Sequence, residues 1–191
     1  MPTIAEHNRQ AAPAYAAVPH EHWIEALDDG RHVLIRPLRT DDREREYNFI
    51  KGLSRESRHA RFLGEINEPG KTLLDQLMDV DNQQRVAFIA LVHENGKLIE
   101  IGVARYAAAK EHECECAVTV ADPWQHLGLG RILMQHLMTA ARKNGFTLMY
   151  TVDEATNAPL RELNHALGFH TVTDPDRSEE HTSELQSPSG S

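Results

Sequence analysis

The chain has 191 residues, 40% of them hydrophobic, with 29 Asp and Glu against 20 Lys and Arg for a net charge of −9. That length makes one ordinary domain with an adequate core, and the acidic balance excludes a nucleic-acid binder, which needs a basic face for phosphates. The longest apolar run, Val86 to Val92, is far short of the roughly 20 residues of a membrane helix; no basic and apolar blocks mark a signal peptide; and Cys114 and Cys116 frame no disulfide scaffold, so a cytoplasmic protein without a membrane partner is expected.

Residues 1–22 are rich in Ala, Pro and His without a sustained period and are expected to form a flexible arm, with the folded domain over 23–176. His32 to Leu38 reads as a first strand. Residues 40–53 read as a helix capped by Thr40 or Asp41, with Tyr47, Phe49, Ile50 and Leu53 at helical spacing. Ser54 can cap a second short helix over 55–63, and Lys71-Thr72 a third over 71–80. Two apolar runs, 85–92 and 97–108, flank Glu94-Asn95-Gly96, and Asn-Gly between such runs marks a hairpin. A fourth strand is expected over 112–121.

A helix follows from about Gly128 to Lys143, with Ile132, Leu133, His136, Leu137, Ala140 and Ala141 as its inward stripe and Gly145 at its end. Residues 146–153 read as a fifth strand. A last helix has Asn157 at its cap and Gly168 at its end, and 170–173 starts a sixth strand. Hairpin strands followed by strand–helix–strand–helix–strand make a mixed α/β sheet. Residues 177–191 have almost no apolar residue. The segment Arg177 to Ser187 resembles the translation of a sequencing adapter, so the tail is expected to be disordered.

The most informative stretch is Asp122-Pro123-Trp124-Gln125-His126-Leu127-Gly128-Leu129-Gly130-Arg131, a polar turn that runs into a helix. Backbone N–H groups at a helix start are unpaired and carry the positive end of the dipole, which suits a phosphate. Gln125 to Arg131 therefore read as a pyrophosphate cradle, with Arg131 adding a charge-assisted contact. A nucleoside triphosphate is disfavoured because no Gly-Lys-Ser/Thr follows. A dinucleotide has two fingerprint glycines and Asp153 at about the expected distance, but Leu133 stands where a third Gly or Ala belongs. The third occupant is coenzyme A.

Val118-Thr119-Val120 followed by Gln125-His126-Leu127-Gly128-Leu129-Gly130 resembles the acyl-CoA signature of the GNAT superfamily of N-acetyltransferases. Ile35-Arg36-Pro37-Leu38 with Asp41-Asp42, and Asn157 with Gly168-Phe169, resemble that family's first and last elements. Leu53 to Arg58 with Arg61-Phe62 is similar to a subgroup related to bacterial protein-lysine acetyltransferases. The resemblance covers about 33–172. It implies a mostly antiparallel sheet with flanking helices, whose fourth and fifth strands splay apart to take acetyl-CoA as co-substrate. It also implies that a final strand is missing here, leaving an exposed edge near Thr171 to Thr173.

The same resemblance gives roles. The backbone of Val118 and Val120 would bond the pantetheine arm, the Val118 N–H would polarise the thioester carbonyl, and residues 125–131 with Asn157 would complete the cofactor site. In Glu115-Cys116-Ala117-Val118, Glu115 matches the general base of the lysine-acetylating subgroup. Many relatives carry a Tyr acid where this chain has Asn164, so no acid is assigned. Arg58 and Arg61 fall where the family's acceptor side lies. The expected reaction is acetyl transfer to a primary amine, with protein lysine as the acceptor. The alternatives are a non-catalytic acyl-CoA-binding module and a dinucleotide-binding domain.

No metal is expected. Alternate strand residues such as His112, Cys114 and Cys116 lie roughly 6.5–7 Å apart, whereas two sulfurs on one zinc sit about 3.8 Å apart. The cysteines read as core thiols and Trp124 as a packing residue under the turn.

Overall fold

The computed structural model describes residues 21–64, 66–154, 157–173 and 180–186. Its strands are β1 (Trp23–Ala26), β2 (His32–Pro37), β3 (Arg85–Glu94), β4 (Lys97–Lys110), β5 (Glu113–Val120), β6 (Leu148–Glu154), β7 (His170–Thr173) and β8 (Glu180–Gln186). The helices are α1 (Arg43–Gly52), α2 (Arg55–Phe62), α3 (Lys71–Met78), α4 (Leu129–Lys143) and α5 (Ala158–Ala166). The strands form one sheet in the order β1-β2-β3-β4-β5-β6-β8-β7. Every described pairing is antiparallel except β5 with β6.

Helices cover both faces, which explains the unbroken apolar run in β3. Val86, Phe88 and Ala90 turn to α4, while Ala87, Ile89 and Leu91 turn to α1 and α3. Cys114 and Cys116 face the α4 core as buried free thiols, whose burial pushes Cys114 up to about 12. His112 lies in the turn before β5 rather than on the strand, with Nδ1 3.1 Å from Gly145 O. The hairpin loop is Asn95-Gly96, both at positive φ, as a tight primed turn requires. Ser54 caps α2 by accepting from Ser57 N–H at 3.1 Å, and Asn157 caps α5 by accepting from Leu160 N–H at 3.3 Å. The caps of the other early helices differ from expectation: α3 begins after Gly70, and a 3-10 turn over Thr40–Asp42 precedes α1.

Asp42, rather than Asp41, is the anchor there. Its carboxylate takes both Arg36 amines, at 2.6 and 2.7 Å, in a nearly dry position. Burial pushes Asp42 up, but Arg36, the Arg39 N–H and Arg45 outweigh it and hold the carboxyl below its usual range.

Three expectations are corrected. β1 was not foreseen; it is held by Trp23, which stacks on His136 at 4.3 Å and meets Phe88 edge-on at 5.6 Å, and by Glu25, 2.8 Å from His136 Nε2. The missing final strand is present: β8 lies between β6 and β7 and pairs with both. The expected disordered tail is therefore a strand over 180–186, because ladder hydrogen bonds need only backbone, and Leu185 packs on the α4 core. The edge near Thr171 to Thr173 remains, since β7 ends the sheet. Residues 1–20 of the expected arm, and 177–179 and 187–191 of the tail, lie outside the described residues.

Candidate active site

The site begins as a gap in the sheet. β5 and β6 pair only from Glu113–Leu148 to Glu115–Tyr150, and beyond that rung they part. On the other side of β5, Ala121 N–H donates to Ile101 O at 2.9 Å, and the register then runs from Gly102↔Val120 through Ala104↔Val118. Bonded and non-bonded pairs alternate along an antiparallel ladder. Ala117 and Thr119 therefore turn their backbone groups to β4, and Val118 and Val120 turn theirs into the gap. One correction concerns Val120. Its carbonyl already accepts from Gln125 Nε2 at 3.0 Å, so only its N–H faces the gap unclaimed.

The turn over 122–128 closes one end of the gap. Gly128 is the N-cap of α4 at φ +80°, and no side chain caps that helix. The first helical bond runs from Ile132 N–H to Gly128 O at 3.1 Å, which leaves the N–H groups of Leu129, Gly130 and Arg131 open among the described residues. Any Cβ at Gly128 would be strained by φ and would also lie 2.9 Å from Asp28 Oδ2. A Cβ at Gly130 would lie 3.2 Å from Leu163 Cδ2 and 3.8 Å from Val120 Cγ2, so this glycine lets α5 and the end of β5 close on the helix start.

The remaining cradle residues divide clearly. Leu129 is buried in the core and offers only backbone, Leu127 O accepts from Asp28 N–H at 3.1 Å, and His126 sits at positive φ. Arg131 is half-exposed and 3.6 Å from Asp28. The side-chain carbonyl of Asn157 is used in capping α5. Gln125 points not outward but inward, donating also to Ser57 Oγ at 3.2 Å. Asp122 completes that knot, accepting from Ser54 N–H at 2.8 Å, Ser54 Oγ at 2.6 Å and Ser57 Oγ at 2.8 Å. The turn and α2 are thereby tied together. Trp124 packs on the α4 core, with the Arg31 guanidinium 4.0 Å over its ring.

Glu115 stands on the last β5–β6 rung, three residues before Val118 and on the opposite face from Cys114 and Cys116. Its exposed carboxylate lines a cavity of about 360 Å³ under α2 and α3. Tyr150 is its neighbour in register; burial and the Glu115 and Glu113 carboxylates push that phenol up. Of the two arginines singled out, Arg58 turns back to the end of α1 and donates to Leu53 O and Lys51 O. Arg61 lines the cavity instead.

Sequence reasoning missed Arg105, which enters the same cavity from β4 and donates to Glu46 Oε1 at 2.6 Å and Leu77 O at 2.8 Å. A lone cation inside an apolar strand was the available signal. Glu100 joins this cluster because the β3–β4 register slips between Ala90 and Leu91, which turns Glu100 to the α1 face. Asn164 is buried and takes the N–H of Phe169 at 2.9 Å on its backbone carbonyl, closing α5, while its side-chain Nδ2 meets no hydrogen-bond partner among the described residues.

No group of His, Cys, Asp and Glu that could hold a metal occurs among the described residues, and no helix there is long and apolar enough to cross a membrane.

A model of the acetyltransferase (GNAT) family matches residues 36–169. The chain is 59% identical over 172 residues to acetyltransferase PA5475 of Pseudomonas aeruginosa, covering 90% of this chain and 92% of that protein. Its fold is similar to the GNAT domain of S. lividans PAT, with TM-score 0.78 and 22% identity over 86% of this chain and 96% of that one. It is also similar to yncA of Salmonella typhimurium, solved with its cofactor acetyl-CoA, with TM-score 0.64 and 22% identity over 81% and 93% of the two chains.

Proposed function

The chain belongs to the acetyltransferase (GNAT) family, and on that premise we propose that it moves an acetyl group from acetyl-CoA to a primary amine, the ε-amine of a protein lysine, by direct attack with Glu115 as base. The observation that carries this reading is the gap itself: the backbone of Val118 and the N–H of Val120, unclaimed along it, lead straight to an uncapped helix start. Strand-like backbone donors suit the amide-rich pantetheine arm, and the open N–H groups of 129–131 suit its pyrophosphate. Bound there, acetyl-CoA supplies a thioester carbonyl.

The residues then divide the work. The Val118 N–H donates to the carbonyl oxygen where charge develops. Only about one lysine amine in 2,500 is unprotonated at pH 7, so the Glu115 carboxylate takes the amine proton, directly or through water. The C–N bond forms as C–S breaks, and the leaving thiolate takes its proton from solvent. The pattern Glu115-Cys116-Ala117-Val118 and the open cavity over Glu115 support a lysine side chain as the incoming group.

Glu115→Gln keeps the shape of an exposed side chain and removes the base. Initial rates with acetyl-CoA and lysine peptides at pH 7 should fall by about 10²-fold or more, with the circular dichroism spectrum retained. An unchanged rate would remove Glu115 from the mechanism. Calorimetric titration of acetyl-CoA, with NADH as control, should show binding of the first alone.

A further inference from the structure

The cavity beside Glu115 carries more charge than a lysine stem requires. Three arginines and two carboxylates line it: Arg61, Arg85, Arg105, Asp79 and Glu115. Arg85 is neutralised by Asp79 and Asp81, each at 3.2 Å. Arg105 is neutralised by the buried Glu46 at 2.6 Å. Arg61 has neither a hydrogen bond nor an ion pair among the described residues; the Glu46 and Glu115 carboxylates act on it only at longer range, and its guanidinium lies 4.9 Å over the Phe62 ring. Glu115 likewise has neither a hydrogen bond nor an ion pair among them, and acts on Arg61 only through its charge. Pairing by pairing, the cavity is left with one unclaimed cation and one unclaimed anion.

We infer that this cavity recognises a carboxylate close to the acceptor amine, bound by Arg61 with Arg105 behind it, so that the preferred acceptors are lysines flanked by Asp or Glu. The inference rests on the acetyl-transfer reading and names its substrate class. A partly buried guanidinium without a hydrogen-bonded counter-ion is costly, and a carboxylate can take its planar fork in two parallel hydrogen bonds. Burial, and then the Arg105 guanidinium, push Arg61 down to about 10, so it is still charged at pH 7 and gains from an anion. The second unclaimed group, Glu115, faces the ammonium before transfer. The cavity thus complements an amine and a carboxylate held a few ångströms apart, and its volume of about 360 Å³ lies at the small end for ligand sites. The carboxylate can come from an acidic side chain beside the lysine or from the α-carboxyl of a free amino acid; the first source is favoured because Glu115 is exposed, so that a lysine still attached to its chain can reach it.

The test uses the full chain and matched peptides with one lysine flanked by Glu, Gln or Lys, together with Nα-acetyl-lysine and its amide. Each is measured twice, as initial acetylation rate and as equilibrium affinity without acetyl-CoA. The Glu-flanked peptide should exceed the Gln-flanked one about tenfold in kcat/KM, the worth of one charge-assisted contact. That ratio should collapse towards one in Arg61→Gln and persist in part in Arg61→Lys. Peptides acetylated with a ratio near one in the wild type would overturn the inference and leave the acetyl-transfer reading standing. An acidic preference in affinity with no acetylation would do the reverse. A preference seen only for Nα-acetyl-lysine over its amide would overturn the flanking-residue assignment and make the free amino acid the source. If Arg61→Gln fails to fold, the wild-type ratio together with Arg61→Lys still decides.

Discussion

Glu100 shows how one residue can make stability depend on pH. Only 3% of it is exposed, and neither carboxyl oxygen meets a protein donor; the same is true of Glu46 Oε2. Burial, and then the adjacent Glu46 carboxylate, push Glu100 well above the usual carboxylate range. Glu100 therefore holds its proton to higher pH than an ordinary carboxyl, and that proton, donated to Glu46 Oε2, gives a partner to that oxygen and to one of the two Glu100 oxygens. The folded pKa is raised, so the native state holds this proton more tightly than the unfolded chain does. Its stabilisation is complete below the unfolded value of about 4.3 and is lost as pH climbs towards the folded value, at about 1.4 kcal/mol for each unit between them. Glu100→Gln keeps a donor and cannot ionise. Urea unfolding at pH 5, 7 and 9 should show the variant gaining on the wild type as pH rises. Parallel profiles would mean that Glu100 titrates alike in both states.

At the scale of elements, α2 depends on contacts beyond itself. It has eight residues, none of them fully buried, and Phe62 is its one side chain packed on the α1 core, so core packing alone does not hold it. The Ser54 cap and the Asp122 carboxylate hold its first turn to the turn that precedes α4. Burial pushes Asp122 up, and the Ser54 and Ser57 donors more than reverse this, which shows how fully the carboxylate is used. The same helix carries Arg61 near its end. One knot therefore couples the acceptor side to the cofactor side. Asp122→Ala should cost about 1–3 kcal/mol and raise KM for both acetyl-CoA and peptide, with faster hydrogen exchange confined to α2 and the 122–128 turn. Unchanged exchange in α2 would show that the helix is held by other contacts.

For the whole molecule, the consequential finding is where the chain ends up. β8 lies between β6 and β7, so β7 reaches the sheet only through it. β6 forms the far wall of the gap and is braced along its length by β8, from Leu148↔Gln186 to Glu154↔Glu180. A chain ending at Thr173 should lose that brace and, with it, the attachment of β7 to the sheet. Its Tm should fall by on the order of 5 °C or more, with association through the freed edge of β6. A monomeric truncated chain with the original Tm would show that β8 contributes no stability.

Much of this was legible along the chain because the signals are local. A Ser or Asn before a helical stripe, an Asn-Gly between apolar runs, and glycines where φ is positive each act within a few residues, and Ser54, Asn157, Asn95-Gly96 and Gly128 all stand where such signals place them. The resemblance of 118–130 to an acyl-CoA signature fixed the family for the same reason, since one turn and its strand hold the motif. Tertiary structure alone decided the rest. β8 has a single apolar residue among the side chains described, and its place comes from two strand edges that need backbone partners. Glu100 reaches the α1 face through a register slip that no periodicity announces. Gln125 turns inward because Ser57 and Val120 meet it there. Arg105 and Glu46 are 59 residues apart, and only folding brings them, with Arg61, beside Glu115. A sequence pattern reports which face a residue shows, whereas a site is made by which faces meet.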